Sequence, residues 1–217
     1  MAATGDPTLA GGLRWLATKR VTLGVVSFLL AAFAVELAVW WAFGPATWEF
    51  LFVANVEVSP AWVLAPFAHR GVAHLLTTVS VIVVYGALVE TALPAAAFLT
   101  FYVAAGYAST AAQLAASLGG PTSPGTLGAS GAALALVALF TTTVLVARVR
   151  NPAAVTSVEV LFAGTGLVIA AVVLANDFVA GVRVARGTAP YGHLGGLLTG
   201  LVFGLQLTRW RQGGETA

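Results

Sequence analysis

Residues 21–43 read VTLGVVSFLLAAFAVELAVWWAF, a run of 23 positions in which Glu36 is the one charged side chain. A helix needs about 20 apolar residues to cross the ~30 Å hydrocarbon core of a bilayer. The run is too long for the core of a secretory signal. It also ends in Trp40, Trp41 and Phe43, not in the small residues of a cleavage site. It therefore reads as a retained membrane helix. Working outward, further apolar runs occupy about 71–90, 94–117, 129–148, 153–175 and 188–208. The breaks between them are short: Leu93-Pro94, LGGPTSPGTLG (118–128), Asn151-Pro152 and NDFVAGVRVARGTAP (176–190). The expected fold is all-α, a polytopic membrane bundle of six transmembrane helices over residues 21–208, with polar segments 1–20 and 209–217 on either side.

Composition agrees. Of 217 residues, 59% are hydrophobic and 8% charged, with a mean hydropathy of +0.94. An average soluble domain carries roughly a quarter charged residues, so too little polar surface exists here to coat a water-soluble globule. The same numbers exclude disorder. Net charge is +2 and the basic residues are scattered, which leaves no basic, aromatic-lined patch for nucleic acid. Cys is absent, excluding disulfides and a thiolate nucleophile, and three His without Cys make a structural zinc site improbable. No cofactor or metal is expected.

Residues 44–70 form the longest connection, apolar and aromatic but interrupted by Pro45, Pro60 and Pro66, which suits interfacial structure better than a crossing. Orientation follows from the basic residues. With the N-terminus inside, Arg14, Lys19, Arg20, Arg148, Arg150, Arg209 and Arg211 are cytoplasmic, and Arg70, Arg183 and Arg186 lie outside. Seven against three favours both termini in the cytoplasm.

Polar groups inside a membrane are costly and mark function when they converge. Ser130 lies in GTLGASGAALAL at the start of the fourth helix, and His193 in APYGHLGGLLTGLVFG near the start of the sixth. Both helices run inward, so both residues sit near the outer end. His74 starts the second helix at the same level. His193, Gly196, Gly200 and Gly204 share one helical face, and Ser130 is flanked by Gly128, Ala129, Gly131, Ala132 and Ala133. Small residues at this spacing let membrane helices approach closely, which would bring a Ser hydroxyl to an imidazole nitrogen. A serine nucleophile with a His base requires that geometry. The unpartnered amides of the first helical turn, with His74 and the hydroxyl of Thr78 four residues later, are candidate oxyanion donors. Taken singly each feature has a plainer explanation: a membrane Ser bonding a carbonyl one turn back, an interfacial His, simple glycine packing. Their coincidence at one depth carries the reading. GASGA lacks the second flanking Gly of the hydrolase elbow, and GTLGAS has no Lys to make a P-loop.

Over about residues 60–208 the chain resembles the rhomboid family of intramembrane serine proteases. The residues that carry the resemblance are Gly128-Ala129-Ser130-Gly131, then His193-Leu194-Gly195-Gly196 with Gly200 and Gly204, and His69, His74, Gly86 and Glu90 of the second-helix signature. The resemblance implies a dyad of Ser130 as nucleophile and His193 as base. It also implies an oxyanion site with His74 and the Ser130 amide, and substrates that are membrane-spanning proteins cut near the outer boundary. The family has no Asp completing a triad, so Asp177, read as part of the fifth loop, need not be recruited. The chain departs from the family pattern in three places. Thr78 stands where an Asn is common, Leu134 where an aromatic often stacks on the His, and Trp62-Val63 where Trp-Arg is usual.

The implied location is a prokaryotic cell membrane. Two other classes compete with the protease. One is a rhomboid-like protein that binds membrane clients without cutting them. The other is a small transporter with Glu36, Glu159 and the His residues as a polar path. Glu90, at the inner end of its helix, reads as structural. Substrate identity and oligomeric state have no signal in the sequence.

Overall fold

A computed structural model describes residues 9–118, 125–180 and 189–213. Arg183 and Arg186, most of the 118–128 break and both chain ends lie outside them. The described chain is an all-α membrane bundle: α1 (Leu9–Ala17), α2 (Arg20–Phe52), α3 (Ala61–Leu64), α4 (Val72–Glu90), α5 (Ala95–Ser117), α6 (Ser130–Arg150), α7 (Ser157–Val179) and α8 (Pro190–Gly213). Five of these, α2 and α4 to α7, are long and apolar enough to cross a bilayer. The sixth expected crossing, α8, has 24 residues and so the length to span, but its glycines, His193 and Gln206 dilute its apolar character.

Helix α6 is the axis of the fold. Twelve of its residues between Gly131 and Val144 are buried, and α4, α5, α7 and α8 all pack on it. Its run of Ala and Gly next to Ser130 lets partners approach to backbone contact. A Cβ added at Gly196 of α8 would run into the Gly131 carbonyl, and one at Gly200 into that of Ala135.

The end of the bundle away from Ser130 is tied by Glu90. Its carboxylate accepts from the Val21 and Thr22 amides (3.1 and 2.8 Å) and from the Thr22 hydroxyl (2.7 Å), capping a helix whose own cap residue, Lys19, offers no side-chain bond. Gly86 packs one turn earlier, where a Cβ would lie 3.0 Å from Thr22 Cγ2. Helix α7 opens on a capping box, Thr156 with Glu159.

Four element boundaries differ from those expected. Residues 44–52 are helical, because Gly44 (φ 81°) breaks α2 only locally and Pro45, whose fixed φ suits a first helical position, restarts it. Helix α1 lies inside the segment expected to be only a polar tail, and α8 continues past 208. The fifth helix does not stop at 175. It passes through a π-turn over Asn176–Ala180, so Asp177 rides on a helix end and not in a loop.

Candidate active site

The N-terminal ends of α4, α6 and α8 meet the C-terminal end of α7 at one end of the bundle. Each contributes a polar side chain, and three helix N-termini place positive dipole ends around a common point. Ser130 is the first residue of α6, so its amide and that of Gly131 have no partner within the helix. Its hydroxyl lies 3.0 Å from His193 Nε2. That is hydrogen-bond distance for a nucleophile and its base.

The turn before Ser130 is held from two sides. Ala54 and Thr126 exchange backbone bonds (2.9 and 2.7 Å), and the Gly128 amide donates to the Ala65 carbonyl at 2.8 Å. The first loop is thereby stitched to the approach to α6. Gly128 has φ +127°, a conformation that L side chains rarely adopt. A Cβ there would stand 2.8 Å from His74 Cε1 and 3.3 Å from both His74 Nε2 and Ser130 Oγ. His74 and Ser130 therefore face each other across the space that glycine leaves. His74 Nδ1 accepts a long bond (3.5 Å) from the Arg70 amide, which assigns the ring proton to Nε2, the nitrogen on the Ser130 side.

His69 lies deeper. It is 1% exposed, its amide donates to both oxygens of Glu36 (3.1 and 2.9 Å), and its ring packs against Phe33 and, at 5.3 Å, against His74. Thr78 is buried one turn inward of His74, and among the described residues no hydrogen bond joins it to Ser130 or His193. Leu134 is packed in the core. The two carboxylates of the transporter reading have local structural partners, Glu36 at the His69 amide and Glu159 in the α7 cap.

Asp177 corrects the sequence reading. The π-turn carries its carboxylate to 2.6 Å from His193 Nδ1, in a position where the Asp side chain is 1% exposed and the His 15%. A carboxylate at Nδ1 holds the proton on that nitrogen and leaves the Nε2 lone pair for the serine hydroxyl. Two further residues passed unweighed in the sequence. Ser109 Oγ donates to the Gly192 carbonyl (2.8 Å), and Gln113 Oε1 accepts from the Tyr191 and Gly192 amides (both 3.1 Å), capping α8 just ahead of His193. Their signal was available: Ser109, Thr110 and Gln113 cluster within an otherwise apolar crossing.

At one end of a membrane-crossing helical bundle, then, a serine hydroxyl and an imidazole are in contact. The Rhomboid domain model matches residues 57–210, well over half the chain, and the protein belongs to the rhomboid family. Members of that family are in general intramembrane serine proteases acting on membrane proteins within the bilayer. Among curated proteins, none matches this chain.

Proposed function

We propose that this protein is an intramembrane serine endopeptidase that cleaves membrane-spanning proteins near the outer membrane boundary, with both termini in the cytoplasm of a prokaryotic cell. The observation that carries the reading is the 3.0 Å contact between Ser130 Oγ and His193 Nε2. Ser130 Oγ attacks the scissile carbonyl carbon while its proton passes to Nε2. The oxyanion forms beside the free amides of Ser130 and Gly131, with the Nε2–H of His74 as a side-chain donor. Collapse breaks the C–N bond, the imidazolium protonates the departing amine, and Ser130 is left as an acyl ester. Water then attacks the ester, giving its proton to His193 Nε2, and the imidazolium returns a proton to Ser130. Thr78, where an Asn is common in the family, offers a hydroxyl on a shorter stem, so oxyanion stabilisation rests chiefly on His74 and the α6 amides, with Thr78 a lesser donor.

The test needs no known substrate. A fluorophosphonate is expected to label the detergent-purified wild type and to leave both Ser130→Ala and His193→Ala unlabelled, with thermal midpoints unchanged. Labelling that survives in both variants would end the assignment of the dyad. A well-folded wild type that takes no label would favour a client-binding role.

A further inference from the structure

The carboxylate at the end of α7 lies outside the Ser130–His193 dyad, and its surroundings point to a role in it. Asp177 is nearly inaccessible, and a buried carboxylate is retained only where it is paired or hydrogen-bonded. Its Oδ2 has one described partner, His193 Nδ1 at 2.6 Å, and its Oδ1 is buried without a hydrogen bond among the described residues. That carboxylate is thus committed to the imidazole. Among the described residues the imidazole has hydrogen-bond partners on two helices, Ser130 on α6 and Asp177 on α7. Of these, only Asp177 can accept a hydrogen bond from Nδ1–H.

We infer that Asp177 is a positioning residue that completes a linear Ser130–His193–Asp177 chain, fixing the His193 ring proton on Nδ1 so that Nε2 is free to take the serine proton. The catalytic consequence rests on the protease reading above; the tautomer assignment does not. As Ser130 Oγ bonds to the electrophile, the hydroxyl proton moves to Nε2, and the resulting imidazolium is stabilised by a carboxylate that itself stays ionised. Asp177 touches neither substrate nor the reacting atoms. Its placement at helix register, and not in a loop, is what makes it dependable: the ring contact of Phe178 with Tyr191 (centroids 5.7 Å apart) pins the adjoining turn of α7 to the start of α8.

The experiment has two arms. In the first, ring ¹⁵N NMR reads the His193 tautomer in the full-length protein, with only three His in the chain and His193→Gln to assign its signals. The wild type is expected to show a protonated Nδ1 and an unprotonated Nε2 at neutral pH, Asp177→Asn to lose that preference, and Asp177→Glu to keep it. A wild-type ring with its proton on Nε2, or an unchanged tautomer in Asp177→Asn, would overturn the proposal whether or not the protein is active. In the second arm, fluorophosphonate inactivation is measured over a range of probe concentrations. Asp177→Asn is expected to lower the saturating rate about 100-fold or more, with the half-saturating concentration held within about twofold and partial recovery in Asp177→Glu. A saturating rate within about threefold of wild type in folded Asp177→Asn would likewise reject the role. A wild type that takes no label tells against the protease reading alone, and the first arm then decides on Asp177.

Discussion

Two contacts with α6 hold the two halves of this hydrogen-bonded chain, and they do so by opposite means. Along the α6–α8 seam, backbone meets backbone: Gly196 lies on the Gly131 carbonyl and Gly200 on that of Ala135, with no room for a methyl group. Along the α7 flank the contact is sparse. Between Ser157 and Ala175 only Ala163 and Gly166 are buried, and 11% of the helix's apolar window lies inside the protein, against 61% for α6. The rest faces outward, where lipid is as good a partner as another helix. Ser130 and His193 are therefore fixed by main chain, which cannot yield. Asp177 is fixed by a few side-chain contacts and by the hydrogen bond it makes. The pair proposed to do the chemistry sits on the rigid seam, and the carboxylate proposed to orient it sits on the compliant flank.

The same substitution at two glycines should expose that difference. An alanine methyl at Gly196 meets the Gly131 carbonyl oxygen and Cα, so the helices must separate. At Gly166 the nearest atom is the Thr141 hydroxyl, a side-chain atom and not main chain, with Val137 Cγ1 at 3.2 Å. Alanine also gains about 1 kcal/mol of helix propensity at either site. Gly196→Ala is expected to cost about 3 kcal/mol or more and to abolish fluorophosphonate labelling, whereas Gly166→Ala stays within about 1 kcal/mol of wild type. Unfolding in mild detergent measures both. Equal costs would erase the distinction between seam and flank.

The seam was legible in the sequence because its signal is local. His193, Gly196 and Gly200 fall on one helical face, and the residues around Ser130 are uniformly small. The flank was not. Asp177 follows an apolar run that looks finished at Ala175, and the polar pair Asn176-Asp177 reads as the start of a loop. A π-turn, which no residue pattern there announces, keeps the helix going and sets the carboxylate's direction. Pro45 misled in a similar way. A proline after glycine suggests an end, yet here it opens a second helical stretch. Ser109 and Gln113 were readable as intramembrane polar residues, but nothing in the sequence says that their partners are backbone groups of α8.

A third support, distinct from both interfaces, responds to acid. Burial, and after it the positive charge of His74, hold the His69 imidazole at about 4, well below its ordinary 6.5. The unfolded ring takes up a proton as pH falls below about 6.5, while the folded ring stays neutral until about 4. Stability that is complete above 6.5 is therefore lost across that window, amounting to about 2 kcal/mol by pH 5. The wild type is expected to lose that much more unfolding free energy than His69→Gln between about pH 7.5 and 5. Equal losses would show that the ring is solvated when folded. Since His69 lies between α2 and α4, away from α7 and α8, this loosening should leave Gly196 and Gly166 variants with the same cost relative to each other at either pH.

The smallest effect tests whether α7 behaves as one rigid rod. Tyr85 of α4 donates from its hydroxyl to the Phe162 carbonyl of α7 at 3.0 Å, a tie in the N-terminal half of the flank. That carbonyl belongs to a helix interior and keeps its helical bond when the phenol is removed, so Tyr85→Phe should cost no more than about 1 kcal/mol. At the C-terminal end of α7 Asp177 is held independently, by His193 and by the neighbouring contact of Phe178 with Tyr191. Tyr85→Phe is accordingly expected to lower the thermal midpoint slightly, with the His193 tautomer and the labelling rate unchanged. A rate that falls further than the stability would mean that a contact at one end of α7 sets the carboxylate at the other. The flank would then be no less rigid than the seam, and the sparse packing of α7 would have to be explained by something other than compliance.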